Sequence, residues 1–179
     1  MTMSHKLENP KRVEELSPAS TLKRIGLKDG DTFCDVGAGT GIFTFAAAGL
    51  TQGSVYAVEL SQELLDILAQ KKRNLNAQNV IIQNSISQLP SACCHLALLC
   101  AVLHELREAE TALPQLRRAL TPDGVLAVIE FHKRPTPMGP PSEHRLSPEQ
   151  AEEMLMPYGF HRTDYFELGE NYYILLFSA

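Results

Sequence analysis

Short apolar runs alternate along most of the chain with stretches in which apolar residues return every three or four positions. The first pattern predicts buried strands and the second helices lying on them. Residues 32–36 read as a strand that runs straight into a glycine cluster. Residues 42–50, apolar and alanine-rich, suit a helix packed closely on a sheet, and 54–59 form a second strand. Ser61 is placed to cap a helix with Leu64, Leu65 and Leu68 on one face, followed by a third strand at 80–83. The fourth strand is expected at 96–101. Helical sequence follows with Leu113, Leu116 and Leu120 on a common face, then a Thr121-Pro122-Asp123-Gly124 turn and a fifth strand at 125–131. Ahead of all these, Ser17 and Pro18 open a short covering helix with Leu22 and Ile25 inward and Gly26 as its stop.

Beyond the fifth strand the rhythm breaks. Residues 132–145 carry four of the eleven prolines and predict a loop, long for a compact domain and therefore a candidate for function. A last helix starts at Ser147, with Pro148 in its first turn and Gln150 completing a capping box. Strands at 160–168 and 172–177, joined by Gly169-Glu170-Asn171, predict an antiparallel hairpin. The alternation implies an α/β fold, a mostly parallel sheet with helices on both faces. Such sheets bind ligands beyond the carboxyl ends of their strands, where strand order reverses.

With 179 residues and 44% hydrophobic content, the chain is expected to form a single domain over 1–179. Its apolar stretches fall well short of the roughly 20 residues of a membrane-spanning helix, and residues 1–10 show no secretory pattern. No membrane partner and a cytoplasmic location are the expectations. Cys34, Cys93, Cys94 and Cys100 have no metal-ligand spacing, so they read as reduced thiols with no metal. A formal charge of −5 argues against the broad electrostatic grip of a nucleic-acid partner. The basic run Lys71-Lys72-Arg73 reads instead as charge at the negative end of a helix dipole.

The glycine cluster carries the chemistry. In Asp35-Val36-Gly37-Ala38-Gly39-Thr40-Gly41, three glycines stand at alternate positions between strand and helix, where the backbone must turn tightly and admit a ligand. Glu59, ending the second strand, is placed to accept hydrogen bonds from both hydroxyls of an adenosine ribose. A pyrophosphate loop has a further glycine where Ile42 stands, and Asp35 would repel that anion. The same carboxylate favours the ammonium of S-adenosylmethionine (SAM), which has no phosphate. The pattern therefore points to SAM as cofactor.

These residues resemble the class I SAM-dependent methyltransferases, in particular a small bacterial and archaeal type similar to quinone-biosynthesis methyltransferases. The resemblance extends from Asn9-Pro10 through the glycine motif and Leu103-His104-Glu105-Leu106 to Leu120-Thr121-Pro122-Asp123-Gly124. It implies a Rossmann-like seven-stranded sheet in the order 3-2-1-4-5-7-6 with the last strand antiparallel. It also implies cofactor contacts from Asp35, Gly37, Ala38, Gly39, Thr40, Gly41, Glu59, Leu60, Asn84, Ser85, Ile86 and Ala101. The chain departs from the family at two places: Ser85 stands where an aspartate commonly meets the adenine amino group, and His95 replaces an aspartate opening the fourth strand.

Methyl transfer needs a held acceptor and, where that acceptor carries a proton, a base. His104, just past the fourth strand, is a candidate base or acceptor-orienting group; capping or packing the next helix is the alternative. His104-Glu105-Leu106-Arg107-Glu108 begins like a zinc-protease motif but lacks its second histidine. Glu130 and His132 alternate along the fifth strand and are expected to face the crevice together, or else to form a polar pair at the sheet edge. The 132–145 loop reads as a lid, with Lys133, Arg134 and Arg145 suited to an acidic acceptor, or as a connection or homodimer contact. The expected activity is methyl transfer to a small-molecule acceptor. A non-catalytic SAM-binding module and a nicotinamide-dependent oxidoreductase are the rivals.

Overall fold

The computed structural model describes residues 6–179. The part of the leader expectation that rests on residues 1–5 lies outside the described residues. Seven strands form one sheet, β1 (Phe33–Val36), β2 (Val55–Val58), β3 (Val80–Gln83), β4 (Cys94–Cys100), β5 (Leu120–Phe131), β6 (His161–Leu168) and β7 (Tyr172–Ser178). Their spatial order is β3-β2-β1-β4-β5-β7-β6. Strands β1 to β5 pair in parallel, while β7 runs antiparallel to both β5 and β6. This is the sheet the resemblance implied.

Helices cover both faces. α1 (Pro10–Leu16), α2 (Pro18–Arg24), α3 (Ile42–Ala48) and α4 (Gln62–Asn74) bury Leu16, Leu22, Phe43, Ala47 and Leu68 against Phe33, Val55, Leu98 and Ile129. On the other face, α5 (Ala109–Ala119) and α6 (Pro148–Leu155) pack Leu113, Leu116, Ala151 and Leu155 onto Cys34, Leu99, Val128 and Leu175. Every residue of β1 and β2 is buried, as expected for central parallel strands covered on two sides. Asp35 is the one charged residue among those eight, and it sits where β1 runs into the glycine loop.

Four local expectations are corrected. Ser17 makes no side-chain cap bond; at φ +39° it is the hinge between α2 and α1, a helix the periodicity did not reveal. That helix is signalled instead by Asn9, whose side chain accepts from Lys11 N, and by Pro10 in its first turn. Ser61 likewise precedes α4 without a side-chain cap bond. β4 starts at Cys94 rather than residue 96, and β5 starts at Leu120, because the Thr121–Gly124 turn is absorbed as a register shift between paired strands. Leu120 thus leaves the helical face to pair with Cys94. Ser147 does form the anticipated capping box with Gln150.

Candidate functional site

The glycine loop leaves β1 at the point where β2 and β4 lie on opposite sides of it, so the strand order reverses there. Gly37 and Ala38 donate their amides to Val58 O (2.8 and 3.0 Å), and Gly41 N closes a turn onto Ala38 O at 2.8 Å. Gly37, Gly39 and Gly41 all hold positive φ, at +71°, +57° and +84°. Glu59 binds the loop from the residue just past β2: Oε2 accepts from Gly39 N at 2.8 Å, and Oε1 from Leu60 N and Ser61 N at 2.8 and 3.0 Å. The Leu60 side chain itself is exposed.

Asp35 is buried and accepts a 2.6 Å bond from Thr44 Oγ1. Burial raises its pKa to about 6, against the lowering effect of the Thr44 bond; Glu59 adds to the rise and Arg12 offsets a little of it. Thr40 Oγ1 is buried with no hydrogen-bond partner among the described residues. At the next strand end, Ala101 has φ +56°, a conformation that non-glycine residues avoid, and its amide donates to Ile129 O at 2.7 Å. Asn84 N donates to Gln88 Oε1, while Ser85 caps the 3-10 turn Ile86–Gln88 through Ser87 N. Ser85 Oγ is therefore already engaged as an acceptor.

The chain's amino-terminal segment closes over this edge. Leu7 lies above Gly39, where an added Cβ would come within 3.1 Å of Leu7 Cδ1. Lys71 donates to Thr40 O at 2.9 Å and pairs with Glu8. Neither contact was foreseen. Lys71 belongs to the basic run read as dipole compensation, and no local pattern shows that a helix end meets a loop thirty positions away.

On the opposite face of the sheet, Glu130 and His104 form a buried pair. Glu130 has no exposed surface; its Oε2 accepts from His104 Nδ1 at 2.7 Å, and its Oε1 from the His104 backbone amide at 3.2 Å. With Nδ1–H committed to the carboxylate, the neutral ring keeps Nε2 as its acceptor. His104 lines a pocket of about 430 Å³ together with Glu105, Leu106, Arg107, Pro140 and His144. Burial alone would push its pKa down, but the bond and charge of Glu130, helped by Glu105, outweigh this and raise it.

The expectation that Glu130 and His132 face a crevice together is corrected. Both lie on one face, yet Glu130 is sealed behind His104. His132 lies tilted against Tyr173, ring centroids 5.6 Å apart, and places Nε2 2.6 Å from Glu167 Oε2 on β6. Arg145 is corrected too. Instead of awaiting an acidic acceptor it is buried inside the 132–145 loop, within bonding distance of Pro140 O, His132 O, Arg134 O, Thr136 Oγ1 and Met138 O. Lys133 is held by Gln150 Oε1. Cys94 contacts Cys93 at the amino end of β4, Cys34 is buried inside β1, and Cys100 ends β4 at the carboxyl edge of the strands.

Comparison with known proteins follows this geometry. A family model described as a methyltransferase domain matches residues 34–128. Over 65 residues the chain is 37% identical to a probable cobalt-precorrin-6B C(15)-methyltransferase (decarboxylating) from Methanosarcina mazei, covering 36% of this chain and 35% of that one. It is 25% identical over 122 residues to the ubiquinone/menaquinone biosynthesis C-methyltransferase UbiE of Syntrophotalea carbinolica, covering 66% and 52%. The matches thus span about a third and a half of these curated relatives. Among solved structures, a SAM-dependent methyltransferase from Aquifex aeolicus superposes with a TM-score of 0.91 at 28% identity, over 97% of this chain and 95% of that one. The glycine loop lies inside the matched segment, at the strand reversal of the same seven-stranded sheet: the chain belongs to the methyltransferase-domain family, whose members use S-adenosylmethionine.

Proposed function

We propose that the chain transfers a methyl group from SAM to a small-molecule acceptor bound beside His104, with His104 receiving the acceptor's proton. The observation that carries this reading is the 2.7 Å Nδ1–Glu130 contact, which fixes the ring with Nε2 on a pocket of small-molecule size.

The site fits the cofactor. The bend has no room for side chains of its own, since a Cβ on Gly37 would lie 2.5 Å from Val102 Cγ2. Its one buried unpartnered hydroxyl, on Thr40, is available to a ligand. In this reading Gly37, Ala38, Gly39, Thr40 and Gly41 cradle the cofactor. Glu59 takes the ribose hydroxyls on lone pairs left by its three amide donors, with Leu60 beside it. Asp35 stands toward the ammonium end. The residues after β3, Asn84, Ser85 and Ile86, border the adenine, and the strained backbone of Ala101 borders the reacting end. When bound, SAM supplies an electrophilic methyl on a sulfonium.

The chain's own residues then hold the acceptor against that methyl and accept its proton at Nε2 of His104. Glu130 raises the basicity of the ring and fixes its orientation without meeting the acceptor. The two curated relatives are named for methylation at carbon, which supports an acceptor that exchanges a C–H proton for the methyl. A formal charge of −5 favours a small-molecule acceptor over nucleic acid.

Transfer of labelled methyl from SAM across a panel of cyclic acceptors tests the reading. H104Q should cut kcat by roughly 10²- to 10⁴-fold while SAM affinity stays put. A panel-positive enzyme whose H104Q variant turns over at the wild-type rate would remove His104 from the chemistry.

A further inference from the structure

We propose that Arg107 and His144 form an oxyanion subsite in the pocket beside His104, so that the acceptor carries a carboxylate or a phosphate; this rests on the methyl-transfer reading above and names the acceptor's class. The two side chains come from separate elements. Arg107 stands in the turn between the 3-10 helix Leu103–Glu105 and α5, and His144 ends the 3-10 helix Ser142–His144 inside the proline-rich loop. Both line the pocket that His104 lines.

Arg107 is a cation without a partner. The chain around it is acidic, with Glu105, Glu108 and Glu110, yet among the described residues no carboxylate oxygen comes within 4.0 Å of its nitrogens. Glu105, the carboxylate that shares the pocket, lies 3.8 Å from His104 Nε2 instead, where it favours the charge that the ring gains on taking a proton. The neighbouring loop cannot supply the anion-binding charge from Arg145 or Lys133, which are held by their own chain. Arg107 therefore keeps its five N–H donors for a ligand or for water.

The loop side supplies the second observation. The His144 ring has no hydrogen bond or ion pair among the described residues, and imidazole offers at least one N–H donor in every form that proteins hold. Its backbone is fixed: the His144 amide donates to Pro141 O at 3.0 Å, and the next residue is the buried Arg145 that ties the loop together. A stapled loop thus presents a free donor to the pocket that the free guanidinium lines.

A guanidinium fork matches the paired oxygens of a carboxylate or phosphate, and the imidazole adds a further donor. A pocket of about 430 Å³ takes a ring with one charged substituent, its anion at Arg107 and His144 and its reacting atom toward Nε2 of His104.

Two arms test this, one independent of turnover. In the binding arm, benzoate, phenyl phosphate and benzamide are titrated into wild type and R107M while the ring protons of His104 and His144 are followed by NMR. Benzoate or phenyl phosphate is expected to shift both rings in wild type, with Kd about ten- to a hundredfold weaker in R107M, and to bind ahead of benzamide. The tighter of the two anions identifies the charged group. Silent rings with both anions, or benzamide binding equally well, overturns the subsite. In the turnover arm, cyclic acceptors are offered as free acids, phosphate esters and methyl esters. The anionic forms should have the lower KM, R107M should erase that advantage through KM rather than kcat, and R107K should restore part of it. An anionic preference that survives intact in R107M overturns the proposal. Methyl transfer to none of these acceptors, with the anions still bound as expected, would defeat the methyl-transfer reading and leave the anion site standing.

Discussion

At Gly37 the chain holds φ +71°, and a Cβ there would be driven to 2.5 Å from Val102 Cγ2; at Gly39 the backbone holds +57° beneath Leu7. A β-branched residue pays for the left-handed conformation as well as for the crowding, about 1–2 kcal/mol for the backbone alone. Gly39→Val is therefore expected to keep a measurable melting transition while losing SAM binding by calorimetry. Glu59→Ala should weaken SAM by roughly 1–3 kcal/mol, and because it also frees three amides of the loop, protection of those amides from hydrogen exchange should fall. Asp35 carries the opposite kind of cost. Burial raises its folded pKa to about 6 from the 3.8 of a free aspartate, so between those values the folded chain binds the extra proton and stability declines as pH rises. Asp35→Asn is expected to gain about 1–3 kcal/mol against urea at pH 7, an advantage that disappears below about pH 4, while losing cofactor affinity. A variant no more stable than wild type at pH 7 would contradict this account of the buried carboxylate.

Among the elements, the 132–145 loop shows how a composition can be read correctly and its charges wrongly. Its prolines do mark a connection without strands, but Arg145 is the staple that orders it, satisfying carbonyls of residues 132, 134, 138 and 140 from the inside. Nothing local distinguishes an arginine that awaits a ligand from one that serves its own backbone. Arg145→Met should leave those carbonyls unpaired, cost about 2–4 kcal/mol, and open the loop to proteolysis before the rest unfolds. Helix α1 was missed because Pro10–Leu16 is only seven residues long and presents Leu16 alone as a buried position, too little for periodicity to register. Its cap, Asn9 with Pro10 behind it, was the available signal. The start of β5 was misplaced for a related reason: Thr121-Pro122-Asp123-Gly124 has turn chemistry, yet Leu120 pairs with Cys94 and draws the turn into the strand as an irregularity.

Across the whole molecule, the sheet separates two jobs onto two faces. Asp35 bonds Thr44 on one face, while His104 and Glu130 meet beside the proline-rich loop on the other. The pair on the second face links the turn after β4 to the end of β5, which makes it sensitive to pH in two opposite ways. Because Glu130 raises the folded pKa of His104, its contribution to stability is full below the unfolded value of about 6.5 and fades as pH rises through the higher folded value. The base form of His104 grows over that same rise. Glu130→Gln should therefore lower the apparent pKa of the rate profile and remove the His104 gain in stability below neutral pH, leaving the Asp35 contribution in place; an unmoved profile would separate Glu130 from catalysis. The succession of strands and helices, the glycine bend and the acid that closes it were determined by sequence alone, because apolar periodicity and backbone freedom are local and survive in one dimension, whereas the spatial order of the strands came from the family resemblance. The partners of Glu130 and Arg145 were decided only by tertiary structure, since whether a buried polar group is already satisfied depends on what distant chain segments bring to within bonding distance.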